Sequence, residues 1–218
     1  MNEDIRQQIQ EIKRSFRLMM DGATAASMRE KGLNYKLNWG ATLPRLREMA
    51  DEIASSLASN EAHEPSKNYS LAIELWKENV RECKILATML MPPKEMLSEV
   101  ADLWVEQIEN VEIAEQASFN LFQYLDDASD RAFLWISSEK DMPQICGYHV
   151  LSRLFIRKNE LRERDINEFV DQALTALQSP NLTLRKAAMQ SIIHFANLGL
   201  VYQRIAKSAL HGIGMDLL

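Results

Sequence analysis

Residues 83–108 read CKILATMLMPPKEMLSEVADLWVEQI. Cys83, Leu86, Ala87 and Leu90 recur at three- and four-residue steps, which places them on one helical face. Pro92 and Pro93 stop that helix, because proline offers no N–H to the ladder and pushes the residue before it out of helical angles. Met96, Val100, Leu103, Trp104 and Ile108 then resume the helical spacing. The stretch is a helix, a hard stop and a second helix.

The same pattern extends in both directions. Toward the N-terminus, Leu43, Leu46, Ala50, Ile53 and Leu57 form a stripe, with Thr42 placed to cap and Pro44 just inside the start. Toward the C-terminus, stripes begin at Ala114, Ile145, Ile166 and Leu184. Asp165 and Glu168 have capping-box spacing, which predicts a helix start there. No segment alternates apolar and polar residues long enough for a strand. Seven glycines and six prolines in 218 residues are about half of average usage, too few for a turn-rich sandwich or barrel. The class is all-α. Pairing the helices gives units over 65–90, 93–126, 127–158 and 162–197, which suggests an α-solenoid of antiparallel helix pairs in a single domain over residues 1–218. The uneven periods leave an irregular helical bundle as the alternative.

Hydrophobic residues at 46% are enough for a core, and the net charge of −6 disfavours indiscriminate binding to nucleic acid or anionic membrane. The N-terminus has no apolar signal region and no apolar run is long enough to span a bilayer, so a cytoplasmic protein without a membrane role is expected. Cys83 and Cys146 have no CxxC partner and read as reduced, buried residues. His63, His149, His194 and His211 form no ligand spacing, and there is no P-loop or GxSxG elbow. No metal or cofactor is expected. Gly212–Ile–Gly214 is a bare GxG and reads as a flexible end.

The chain as a whole resembles the AlkD-like DNA alkylation repair family. The motifs that carry the resemblance are Gly32–x–Asn34–Tyr35, Gly40–x(3)–Pro44–x–Leu46–Arg47, Leu75–Trp76–x(4)–Arg81–Glu82 and Arg185–Lys186–Ala187. It implies a HEAT-like helical solenoid and, for active members, an alkylpurine DNA glycosylase. Read only as packing, Leu75, Trp76 and Ala87 sit between helices. The resemblance also implies an acidic residue in a cleft, which falls on Glu115. In active members a tryptophan precedes the acid by four positions, and a second tryptophan and an arginine come from later helices. Here those positions hold Val111, Gln190 and the arginine-free stretch Met142–Gly147. An acid can stabilise the positive charge that grows on a sugar as a cationic base departs, and tryptophans can hold that base by cation–π contact. Glu115 keeps the acid without the aromatic or cationic companions, which points to a catalytically weak or inactive member. Trp104 and Trp135 read as core residues.

Charge divides unevenly along the chain: +1 over 1–60, −9 over 61–140 and +2 over 141–218. Glu95, Glu99, Asp102, Glu106 and Glu109 fall within about 80° of one helical face at 100° per residue. They read as a solvated face, or as a dock for a basic protein partner. Arg153, Arg157, Lys158, Arg185 and Lys186 are the candidates for phosphate contacts to double-stranded DNA, with Arg162 and Arg164 nearby but interleaved with acids. Two function classes stand: a DNA-associated member of the repair family, and a helical-repeat interaction module. A glycosylase using Glu115 is the third.

Overall fold

The computed structural model describes residues 3–58 and 66–216, and every regular element in them is helical. In order these are α1 (Glu3–Leu18), α2 (Gly22–Glu30), α3 (Leu43–Ala58), α4 (Lys67–Lys77), α5 (Arg81–Leu90), α6 (Ser98–Glu106), α7 (Val111–Asn120), α8 (Ala128–Ile136), α9 (Asp141–Ile156), α10 (Glu163–Leu177), α11 (Leu182–Ala196) and α12 (Leu200–Gly212), with short 3-10 turns at Pro93–Glu95 and Phe122–Tyr124. The all-α expectation holds. The four expected pairs appear as α4–α5, α6–α7, α8–α9 and α10–α11, while α1, α2 and α12 went unread in the sequence. No described helix is long and apolar enough to cross a membrane. Two compact units divide the chain, Met1–Leu97 and Ser98–Leu218.

In the first unit α1 packs on α4, α3 on α5 and α4 on α5. α1 buries Ile9, Ile12 and Phe16, and Phe16 meets Trp39 with ring centroids 5.6 Å apart. Leu75, Trp76 and Ala87 are buried, as their packing reading requires. The other motif residues build the loop before α3. Gly32 (φ 84°) ends α2 in the left-handed conformation, its N–H donating to the Arg29 carbonyl and the Leu33 N–H to that of Met28. Gly40 also has positive φ, and a Cβ there would lie 2.2 Å from the Asp21 carbonyl oxygen. Glu82, fully buried, accepts hydrogen bonds on Oε1 from the N–H groups of Trp39, Gly40 and Ala41 at 3.1, 3.0 and 3.2 Å. Arg81, equally buried, donates to the Ala41 carbonyl at 2.8 Å and lies 3.3 Å from the same carboxylate oxygen. A carboxylate in a concavity of successive backbone N–H groups, backed by a guanidinium, is how this loop is held without regular structure.

In the second unit α9 is the central element, packing against α6, α7, α8 and α11, while α12 closes on α10 and α11. α8 and α9 approach so closely at Gly147 that a Cβ there would lie 2.7 Å from the Ile136 side chain and 2.8 Å from the Ala132 carbonyl oxygen. Phe155, Phe169 and Phe195 form a ring cluster extended by Tyr202. Contacts between α7 and α9 keep one register: Glu115 with His149, Phe119 with Arg153 and the Gln123 carbonyl with Arg157 are each 34 residues apart. A constant offset means that α7 and α9 run parallel, as second helices of successive hairpins do in a solenoid.

Several expectations are corrected here. α10 begins at Glu163 after Arg162, so Asp165 is not a capping residue. It is buried and hydrogen-bonded by Arg162 and Arg164; against the burial that would raise it, those bonds hold its carboxyl below the ordinary range. Gly212–Ile–Gly214 is no loose end, because it closes α12 with the Met215 N–H donating to the Leu210 carbonyl at 3.0 Å. The acidic stripe does not share one helix. Glu95 lies in a 3-10 turn and accepts the Ser66 N–H at 2.9 Å. Glu109 lies beyond the end of α6, and Asp102 is engaged by Arg131 at 2.7 Å and by the Trp135 indole N–H at 2.8 Å. Glu99 and Glu106 remain as exposed acids on α6.

Candidate functional site

Within the second unit, one side of α7, α9 and α11 carries the residues that sequence reasoning singled out. Positions four apart share a helix face. α7 therefore presents Glu115 with Phe119, α9 presents His149 with Arg153 and Arg157, and α11 presents Lys186, Gln190 and His194.

Glu115 is half exposed, with its Oε1 4.0 Å from His149 Nε2. Partial burial and then the neighbouring Glu112 push its carboxyl pKa up, while Arg153 opposes the shift. Arg153, further along the helix that holds Met142–Gly147, is thus a cation close enough to act on Glu115. Its guanidinium also lies over the Phe119 ring at 4.8 Å. No tryptophan stands at the two companion positions. Val111 stands at the first residue of α7, and Gln190 is exposed with its amide 2.9 Å from His194 Nε2. Trp104 and Trp135 are both buried, and the Trp135 indole N–H is committed to Asp102.

Burial, followed by the charge of Arg153, lowers the His149 pKa to about 4, so the folded protein holds this ring neutral at pH 7. The unfolded chain takes up a proton on the same ring below about pH 6.5. The unfolded state therefore binds more protons between pH 4 and 6.5, and stability rises with pH across that window. His149→Gln should flatten the loss of stability on acidification, read as denaturation midpoints from pH 7 to pH 4. An unchanged pH profile would place His149 in contact with water when folded. Burial and Arg153 lower the His194 pKa as well.

The candidate phosphate ligands fall into two groups. Arg157 donates to the Gln123 carbonyl at 2.7 Å and lies over the Tyr124 ring at 4.9 Å. Lys158 follows at φ 63°, a left-handed conformation that costs a residue with a side chain about 1–2 kcal/mol. The Asn159 N–H donating to the Leu154 carbonyl at 3.0 Å completes a Schellman end for α9, and Lys158 Nζ reaches the Asn197 carbonyl at 2.9 Å. Arg185 and Lys186 begin α11; Arg185 donates to the Ser179 and Pro180 carbonyls, whereas Lys186 is exposed. From Lys186 to His194 is about 12 Å along the helix at 1.5 Å per residue. Arg162 and Arg164 are turned to Asp130 and Asp165. His149, His194, Phe119 and Tyr124 were not read as site residues. The 34-residue register, which pairs α7 with α9 once the repeat length is known, finds His149 and Phe119, whereas no sequence signal marks His194 or Tyr124.

Burial drives both Cys83 and Cys146 thiols up to about 12, so neither is a nucleophile at neutral pH. His211 is exposed and His63 lies outside the described residues.

The sequence profile described as DNA alkylation repair enzyme matches residues 12–188. No curated protein matches the chain. A solved structure, described as a new family of proteins related to the HEAT-like repeat DNA glycosylases with affinity for branched DNA structures, superposes with a TM-score of 0.77 at 14% identity, over 93% of this chain and 81% of its own. That likeness establishes the HEAT-like fold and sets aside the irregular bundle.

Proposed function

The chain belongs to the DNA alkylation repair enzyme family, and from that membership we propose that it is a cytoplasmic DNA-binding protein that grips the backbone of distorted or branched DNA and excises alkylated bases weakly or not at all. One observation carries this reading: Arg157 and Lys186 are exposed and Arg153 partly so, on the packed helices α9 and α11, where a phosphate backbone can be followed. The affinity for branched DNA ascribed to the structurally similar protein supports the choice of ligand. Lys158, held in a left-handed conformation at the end of α9, and Arg185 at the start of α11 flank that line. Glu115 lies beside Arg153 and sets an acidic border to the face.

Catalytic weakness follows from what surrounds Glu115. A departing N3- or N7-alkylpurine is cationic and needs an electron-rich ring to rest on. Val111 and Gln190 offer none, and the Arg153 guanidinium over Phe119 repels a base that carries positive charge.

The second reading, an interaction module docking a basic protein on the acidic stripe, has less support. Asp102 and Glu95 are engaged internally, which leaves Glu99 and Glu106 as the exposed acids of α6.

Charge reversal separates the two readings. Arg153→Glu with Lys186→Glu should lower affinity for every DNA sequence alike, by at least tenfold at moderate salt, while Glu99→Lys with Glu106→Lys should not weaken DNA binding. Unchanged affinity in the first variant, measured by fluorescence anisotropy, would remove the phosphate line from α9 and α11.

A further inference from the structure

At the C-terminal end of α9 an open cavity of about 380 Å³ lies beside the 3-10 turn Phe122–Tyr124. Its walls include Tyr124, Arg157, Ser129, Asn159 and Glu160. Tyr124 leaves 48% of its surface exposed. The ring is not adrift: Arg157 lies over it at 4.9 Å, and that guanidinium is itself tied to the Gln123 carbonyl at 2.7 Å. One helical turn earlier the arrangement repeats, with Phe119 43% exposed beneath Arg153.

Two exposed rings, each with an arginine laid on it, stand at successive turns of one surface. A planar guanidinium on an aromatic ring is a stacking surface with a charge attached. Every base has a π-face, so such a surface accepts any unpaired base, and the adjoining positive charge holds the phosphate that follows it. The cavity has the size of a small-ligand site, with polar side chains at its rim for a base edge.

We propose that the Tyr124–Arg157 cavity is a binding site for an unpaired nucleobase, the base exposed where a DNA duplex forks. The inference rests on the DNA-binding reading above and deepens it: phosphate contacts along α9 and α11 hold the duplex, and stacking at Tyr124 recognises the discontinuity. Duplex DNA has no free base to offer, so the cavity distinguishes a branch from a linear helix without reading sequence.

The test compares a synthetic fork, with unpaired adenines next to the junction, with a blunt duplex of equal phosphate number, using the full chain. The wild type should bind the fork about tenfold more tightly than the duplex, the range that stacking one base supplies. Tyr124→Ala should bring that ratio to one with duplex affinity unchanged, and Tyr124→Phe should keep it. A 2-aminopurine at the unpaired position should be quenched by the wild type and by Tyr124→Phe but not by Tyr124→Ala. Equal wild-type binding to fork and duplex would overturn the cavity while leaving phosphate recognition standing. So would a parallel loss of both affinities in Tyr124→Ala. No binding to either DNA would overturn both proposals.

Discussion

Glu82→Ala is expected to lower the stability of the protein by about 3–5 kcal/mol, the range for removing one partner of a buried ion pair. The carboxylate it deletes accepts three consecutive backbone N–H groups of the Trp39–Ala41 loop, and Arg81 is left charged in a site from which water is excluded. Against a typical total of about 5–15 kcal/mol, that loss takes a large share of the margin. Glu82→Gln keeps an oxygen acceptor for the loop but not the charge that balances Arg81, so it should fall between wild type and Glu82→Ala. Urea denaturation at neutral pH checks the order. A loss under 1 kcal/mol in Glu82→Ala would show that the loop is held by other contacts. The pair Arg81–Glu82 belongs to the motif that marks the family, and the structure gives it a job in building the fold, far in sequence from Glu115.

Excision of N3- or N7-alkylpurines from duplex DNA should not exceed spontaneous base loss in a single-turnover assay, and Glu115→Gln should not change the rate. Enzymes accelerate reactions by at least about 10⁶-fold, so the gap between an active and an inactive site is unmistakable. Arg153 restores one of the companions that Glu115 lacks in sequence, since it moderates the rise in the Glu115 pKa. It should not restore catalysis, because a cation resting on Phe119 repels a cationic base from an exposed ring nearby. Robust release of alkylpurine, abolished by Glu115→Gln, would show that the site holds its lesion in another way.

The helix pairs were legible because their signals are local. Pro92–Pro93 ends α5 in the structure as in the sequence, and the stripes from Cys83 to Phe195 lie mostly on the buried side, with Leu103 the exception at 51% exposed. α2 and α12 gave weaker signals, for α2 buries only Ala25 and α12 only Ala206 and Leu210. α1 carries a short stripe of Ile9, Ile12 and Phe16 within a charged segment, and that stripe could have been read. The acidic face failed for a different reason: a helix was assumed to run from Glu95 to Glu109, whereas α6 occupies only Ser98–Glu106 and Asp102 turns inward to Arg131 and Trp135. Spacing fixes a side chain's angle about a helix but not which neighbour it meets. The same limit hid the proximity of Arg153 and His149 to Glu115, because these meet only through the register between α7 and α9.

The central claim is that the protein holds DNA by its phosphates, and the dependence of affinity on salt tests it most directly. With three to five contacts among Arg153, Arg157, Lys158, Arg185 and Lys186, the logarithm of the association constant for duplex DNA should fall against the logarithm of salt concentration with a slope of about −3 to −4.5. Removing Arg153 alone should flatten that slope by about one unit. An affinity that does not change with salt, or no detectable binding to linear or branched DNA at low salt, would contradict the account.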